Sequence, residues 1–134
     1  MTDKNKKFSY KILREFQLGN RIFTMEQIPS LLQMYSESTI YPFVRKLHMQ
    51  AWPYCQACHN NVYDQLEVHH IVPIKIDKSK YLDLNNLLTL CGDLTLFKCH
   101  LRIGHLGNYA KKFNLNAKQD ADFFLTYLST WSKK

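Results

Sequence analysis

Four cysteines constrain the fold of this 134-residue chain more than any other feature. Two residues separate Cys55 from Cys58, and seven separate Cys91 from Cys99. A CxxC turn directs both sulfurs at one ion, and zinc takes four thiolates tetrahedrally where a fold brings two pairs together. The sequence therefore predicts a structural zinc site that clamps a central unit too small to be held by burial alone.

Other roles for the cysteines are open at this point. A thioredoxin-like redox motif would need a βαβ pattern around Cys55, and the sequence has none there. Small buried side chains are the second alternative. His59 and His100 each follow a cysteine and are candidates to replace one as a zinc ligand.

The charge of the chain favours a polyanionic partner. Its 18 Lys and Arg residues against 11 Asp and Glu residues give a net charge of +7, and nucleic acid is the leading candidate. Simple solubility is the alternative explanation. The start of the chain is expected to form either a mobile arm or a solvated helix face. Its basic residues are Lys4, Lys6, Lys7, Lys11 and Arg14.

Hydrophobic periodicity predicts short helices and two strands. Helices are expected over 8–18, over 24–35, from Pro42 to Pro53 and over 98–113. Strands are expected over 66–71 and 86–91. Asn116 is expected to cap a last helix. The apolar face of that helix includes Phe123, Phe124, Tyr127, Leu128 and Trp131.

Adjacent histidines stand inside the apolar stretch LEVHHIVPI, residues 66 to 74. Neighbouring residues of a strand point to opposite faces, so His69 and His70 are expected to have different roles. A metal ligand beside a general base is the first interpretation, because imidazole can do either near neutral pH. One buried, hydrogen-bonded ring next to an exposed ring is the alternative.

Four stretches occur together between residues 52 and 108: CQAC, LEVHHIVPI, DLNNLLTLC and KCHLRIGHLGN. In this combination and order the chain resembles HNH endonucleases of the ββα-metal (His-Me finger) class, especially small zinc-containing members found in phages. The resemblance implies an α+β fold, with a ββα-metal core over 52–113 stapled by a four-cysteine zinc site. A helical segment over 1–51 and a helix over 114–134 would flank it within one domain.

The resemblance also implies roles for individual residues. His70 corresponds to the general base and His69 to a ligand of a catalytic divalent cation. Asn86 either holds the loop of the base or helps to bind the cation, and His100 is a catalytic residue and cation ligand. His105 is a further candidate ligand. The family usually has CxxC as its second pair, and the five additional residues here, seven minus two, depart from that pattern.

The activity implied is a metal-dependent DNA endonuclease or nickase that uses one divalent cation: Mg²⁺, Mn²⁺, Ni²⁺ or Zn²⁺. The partner would be double-stranded DNA, contacted through Arg45, Lys46, Lys98 and Arg102, with Lys75, Lys78 and Lys80 on a nearby loop. The sequence has no membrane-spanning run and no signal-peptide pattern. A monomer or weak dimer in the cytoplasm of a bacterial or phage-infected cell is expected.

Two other functions are open. One is a zinc-stabilised DNA-binding module without catalysis. The other is a nuclease subunit that is active only inside a larger phage packaging or restriction assembly.

Overall fold

The computed structural model of the chain describes residues 15–18, 21–27, 32–33, 35–110 and 112–132. The chain divides into two compact units, Met1–Ala51 and Trp52–Lys134. The basic cluster at the start of the chain lies outside the described residues. None of the described helices is both long and apolar enough to cross a membrane.

The first unit contains a β-hairpin where a helix was predicted. Strand β1 (Glu15–Leu18) pairs antiparallel with β2 (Arg21–Thr24), and Phe16 lies opposite Phe23. The predicted helix over 8–18 is therefore wrong at its C-terminal end, and 8–14 lies outside the described residues. The sequence places Gly-Asn, a frequent hairpin connection, between the two strands.

The helix predicted over 24–35 is also wrong where the chain is described. Thr24 ends β2, residues 25–27 form one 3₁₀ turn, and 32–33 form a turn. Helix α1 (Glu37–Ala51) exists as predicted but begins five residues before Pro42. Ser36 explains this start, because its side-chain oxygen accepts a hydrogen bond from the backbone N–H of Thr39 at 3.3 Å.

The centre of the second unit is a two-stranded antiparallel sheet, as predicted. Strand β3 (Leu66–His70) pairs with β4 (Leu87–Cys91), with His69 opposite Leu88 and His70 opposite Leu87. All five residues of β4 are buried, so β4 forms the middle of this unit. The α+β class with helices beside a small sheet is confirmed.

The chain after β4 is less helical than predicted. Of the residues described between 98 and 113, the helical element comprises His100–Gly104, which forms one wide π-helical turn. Leu106 and Gly107 have φ angles of 50° and 88°, a left-handed conformation that reverses the chain instead of continuing the helix. The predicted long helix is therefore wrong beyond Gly104.

The last helix, α2 (Ala117–Ser132), begins after Asn116 as predicted. The carbonyl of Asn116 accepts the backbone N–H of Asp120 at 2.9 Å. The packed face differs from the prediction, because Ala117 and Ala121 are fully buried while Phe123 is 74% exposed. Small residues let this helix lie close to its neighbours. Of the other predicted face residues, Tyr127 is exposed, Phe124 and Leu128 are half-buried, and the side chain of Trp131 lies outside the description.

Candidate functional site

The four cysteines come together in the second unit. Cys55, Cys91 and Cys99 are buried, Cys58 is half-buried, and none is in a disulfide. Their sulfur atoms lie within 4.8 Å of one another, and we call them the sulfur cluster. The sulfurs of Cys58 and Cys91 are 3.7 Å apart. Tetrahedral zinc with Zn–S bonds of about 2.3 Å would space its sulfurs about 3.8 Å apart, so the donor set fits that ion.

The backbone and one hydroxyl direct hydrogen bonds at the sulfur cluster. The N–H of Cys58 donates to the sulfur of Cys55, and the N–H of Cys99 donates to that of Cys91, both at 3.4 Å. The hydroxyl of Thr95 donates to Cys91 at 3.0 Å. Donors directed at sulfur stabilise its negative charge, which favours the thiolate that a metal requires.

His59 is not part of the sulfur cluster. It follows Cys58 with a left-handed φ of 65°, is exposed, and packs its ring against Tyr54. His100, the other histidine that follows a cysteine, lies in a different group.

Three imidazoles converge beside β3. His69 from the strand, His100 from the start of the π-helical turn and His105 from just after it each offer a ring nitrogen, and these nitrogens lie within 4.8 Å of one another. Nε2 of His100 is 3.1 Å from Nδ1 of His69. We call these three residues the histidine cluster. Imidazole nitrogens from separate elements are a typical donor set for divalent transition metals.

The π-helical turn accounts for the five-residue spacing of His100 and His105. An α-helix brings residues three or four apart onto one face, whereas a wider turn brings the fifth residue round. Gly104 makes the turn compatible with the rings, because a Cβ there would lie 3.1 Å from Cδ2 of His100 and 3.2 Å from Nδ1 of His69. A side chain at position 104 would therefore press on both imidazoles.

Outer partners fix the orientation of two of these rings. Nδ1–H of His100 donates to the Glu67 carboxylate at 3.0 Å, and Nδ1–H of His105 donates to the Lys112 carbonyl at 2.9 Å. In each neutral ring Nε2 then carries the lone pair, as a metal ligand needs. Sequence reasoning missed Glu67, although it lies two residues before His69 on the same strand. A Cβ at position 92 would collide with the Glu67 carboxylate, so Gly92 gives that carboxylate its room.

The surroundings of the histidine cluster keep the rings of His69 and His100 neutral. Burial, with smaller contributions from the neighbouring histidines, lowers the pKa of His69 to about 3. Burial also lowers the pKa of His100, against the opposing effect of Glu67. At neutral pH these rings therefore hold lone pairs that can bind a cation.

Acidification is expected to destabilise the protein when the sulfur cluster holds zinc and the histidine cluster holds no cation. The pKa of His69 is about 3 in the folded chain and 6.5 ordinarily, so the unfolded chain takes up the proton first as the pH falls below 6.5. Stability is then lost progressively between these two values. From about pH 7.5 to about pH 5.5, the zinc-loaded wild type should lose about 1–2 kcal/mol more than His69→Gln in urea unfolding. Equal losses in both proteins would contradict this expectation.

His70 has different neighbours from His69. Its Nε2–H donates to the Tyr81 carbonyl at 3.0 Å, and its ring stacks on that of Tyr81 with centroids 5.3 Å apart. The neutral ring then carries its lone pair on Nδ1. Burial lowers the pKa of His70, which keeps it neutral at physiological pH. Of the two adjacent histidines, His69 thus belongs to the histidine cluster, whereas His70 is oriented by a backbone carbonyl.

Asn86 holds the loop that follows His70. Its side chain is buried, accepts the N–H of Val72 at 2.8 Å, and donates to the carbonyls of Val72 and Lys80 at 3.1 Å each. The loop from 72 to 80 is therefore closed onto β4 directly before Tyr81. Of the two roles predicted for Asn86, the geometry matches the one that holds the loop.

A cleft of about 570 Å³ opens over the histidines. His70 and all three members of the histidine cluster line it, together with Lys75.

The other residues predicted to contact DNA lie in different parts of the structure. Arg45 and Lys46 lie on α1 in the first unit, and Lys78 and Lys80 lie on the loop. Lys98 stands two residues before the π-helical turn, and Arg102 lines a separate apolar cavity beside α2.

Comparison with known families gives a match over the centre of the second unit. A family model described as HNH endonuclease matches residues 55–105. This stretch begins at Cys55 and ends at His105, so it contains the sulfur cluster, the histidine cluster, His70 and Asn86. No curated protein and no solved structure matches the chain.

Proposed function

Because residues 55–105 match the HNH endonuclease family, we propose that the chain is a DNA endonuclease or nickase that needs a divalent cation. One observation carries this proposal. Three imidazoles converge within 4.8 Å, and in the same cleft His70 is oriented by the Tyr81 carbonyl. Binding of DNA alone would require neither feature.

His69, His100 and His105 would hold the catalytic cation. Three imidazole donors favour Mn²⁺, Ni²⁺ or Zn²⁺, and Mg²⁺ is the fourth candidate. When bound, the cation supplies positive charge that neutralises the phosphate and the departing 3′ oxygen. Glu67 and the Lys112 carbonyl keep Nε2 of His100 and His105 directed at the centre of the cluster.

His70 acts as the general base in this proposal. Its Nδ1 takes a proton from a water molecule, and the hydroxide attacks the phosphorus in line with the 3′ oxygen that leaves. The Tyr81 carbonyl fixes the ring and stabilises the positive charge that the ring acquires. Asn86 positions His70 indirectly by holding the loop that leads to Tyr81. The products carry 5′-phosphate and 3′-hydroxyl ends.

The sulfur cluster holds a structural zinc ion in this proposal. It connects the turn before β3 with the end of β4 and the residue before the π-helical turn, so one ion would fasten the elements that carry the histidines. Four buried or half-buried thiols with no disulfide and sulfur spacing suited to zinc support this role.

Removal of the outer partner of His100 is expected to weaken cation binding. Glu67→Ala should reduce Mn²⁺ affinity about 10- to 100-fold, because the His100 ring loses the carboxylate that orients it. Titration calorimetry of zinc-loaded protein measures this effect. Asp64→Asn, which alters an exposed carboxylate shortly before β3, should bind Mn²⁺ as the wild type does. Equal affinities in all three proteins would show that Glu67 does not act on the site.

DNA binding is expected to depend on phosphates and to tolerate changes of sequence. The ββα unit would lie against the minor groove, with Lys75 at the cleft contacting the backbone. The logarithm of the binding constant should fall with the logarithm of salt concentration with a slope of about −3 to −6. Lys75→Ala should make the slope shallower by about one unit, and Lys75→Arg should preserve it. A complex insensitive to salt would contradict the electrostatic account.

Plasmid cleavage by the isolated chain tests the proposed function. Zinc-loaded protein with added Mn²⁺ or Mg²⁺ should convert supercoiled plasmid to open-circular or linear forms. Binding without cleavage under all cations would favour the non-catalytic DNA-binding module. Cleavage that appears only after a phage packaging or restriction partner is added would favour the subunit alternative.

A further inference from the structure

A tyrosine and an aspartate connect the histidine cluster to the unusual stretch between Cys91 and Cys99. The hydroxyl of Tyr109 donates to the Asp93 carboxylate at 2.8 Å. The ring of Tyr109 also packs edge-on against His100, with centroids 5.3 Å apart, and against His105 at 5.0 Å. Tyr109 therefore contacts two of the three imidazoles, and its hydroxyl is held by Asp93, which is not a member of the histidine cluster.

The turn that contains Asp93 is held by hydrogen bonds of Thr95, one of which reaches the sulfur cluster. The hydroxyl of Thr95 lies 2.7 Å from the carbonyl of Gly92 and 3.0 Å from the sulfur of Cys91, and it accepts the N–H of Lys98 at 3.1 Å. Thr95 is buried, so these bonds are shielded from water. The additional residues between the two cysteines thus form an ordered turn with Asp93 at its start.

The position of Tyr109 is set by the reversal that follows His105. The N–H of Gly107 donates to the Leu101 carbonyl at 2.8 Å, and the N–H of Asn108 donates to the His105 carbonyl at 3.0 Å. The left-handed φ of Gly107 permits this reversal and directs the chain back over the imidazoles. Tyr109 itself is 41% exposed, so burial alone does not hold its ring in place.

We infer that Asp93 and Tyr109 are a positioning pair that holds the His100 and His105 rings in the orientation needed to bind the catalytic cation. The hydrogen bond keeps the tyrosine ring against both imidazoles, and the ring limits their rotation. This inference rests on the proposed function, since it assumes that the histidine cluster binds a cation. Neither residue contacts the reacting atoms, and their effect passes through the two ligands.

Titration with Co²⁺, whose visible absorption reports ligand geometry, tests the pair in zinc-loaded full-length protein. Tyr109→Phe keeps the ring but removes the hydroxyl, and Asp93→Ala removes its acceptor. Each should weaken Co²⁺ binding about 3- to 10-fold and alter the absorption bands, a smaller effect than loss of a direct ligand partner because it acts through ring packing. The double variant should bind no more weakly than either single variant, because both remove one interaction.

Conservative and matched variants separate positioning from a general effect on the fold. Asp93→Asn retains an acceptor oxygen and should restore near-normal Co²⁺ affinity. Tyr63→Phe, which removes an exposed hydroxyl elsewhere in the second unit, should change nothing. Thermal unfolding of the zinc-loaded, cobalt-free Tyr109→Phe protein should match that of the wild type.

Three outcomes would overturn the inference. Unchanged Co²⁺ affinity and spectrum in Tyr109→Phe would show that the pair does not act on the ligands. Losses that multiply in the double variant would show that the two residues act separately. Failure of zinc-loaded wild type to bind Co²⁺ at a second site would overturn both the proposed cation site and this inference. Normal Co²⁺ binding by the wild type together with unaffected variants would overturn the inference alone.

Discussion

His70→Ala is expected to cleave DNA about 10²- to 10⁴-fold more slowly than the wild type while it binds DNA and both metals normally. The variant loses the imidazole that accepts the proton from water, whereas the sulfur and histidine clusters keep all their members. Single-turnover cleavage of a labelled duplex measures the rate, and calorimetry measures the affinities. Normal cleavage by His70→Ala would contradict the assigned base.

His69→Ala is the matched comparison, since it removes the adjacent imidazole on the same strand. This variant should lose affinity for the catalytic cation, and raised cation concentration should restore part of its cleavage. Zinc content should be normal in both variants. Loss of cleavage in His70→Ala together with loss of the folded state would instead support a purely structural role for that histidine.

Cys58→Ser is expected to lose the structural zinc and with it most of the stability of the second unit. Zinc binding by small cysteine sites contributes on the order of 10 kcal/mol to folding, comparable to the whole stability of a small domain. Metal analysis should find about one tightly bound zinc per chain in the wild type and little in the variant. Circular dichroism should show loss of cooperative unfolding in the variant.

His59→Asn is the control for this experiment. It changes the neighbouring exposed residue, whose φ of 65° asparagine also adopts readily, and should keep both zinc and stability. Zinc loss in His59→Asn would make His59 a ligand. A wild-type protein that folds unchanged after strong chelation would contradict the zinc assignment.

The sequence was most informative where chemistry restricts residue type and spacing. The two strands, the α+β class and the grouping of the four cysteines could be predicted, because metal ligands must converge whatever lies between them. His69, His100 and His105 also lie together, although an α-helix over residues 98 to 113 would have separated the last two. The width of a helical turn depends on tertiary packing around Gly104, which hydrophobic periodicity does not report.

Other features depended on contacts that are distant in sequence. Glu67 has the pattern of an exposed strand residue, and only the fold places it against His100. Asp93 belongs to the additional residues between Cys91 and Cys99, and only the fold brings Tyr109 into contact with it. The hairpin of the first unit was missed because its apolar residues also fit a helical period, and the Gly-Asn signal between the strands is only two residues long.

The separate roles of His69 and His70 are tested by measuring cleavage by wild type, His69→Ala and His70→Ala across a wide range of Mn²⁺ concentrations, with zinc retained in all three. We expect no cleavage without added cation and a saturable rate in the wild type. The curve should shift to higher Mn²⁺ in His69→Ala, and His70→Ala should have a low plateau that no cation concentration raises. Cleavage independent of Mn²⁺, or full rescue of His70→Ala by Mn²⁺, would contradict these roles.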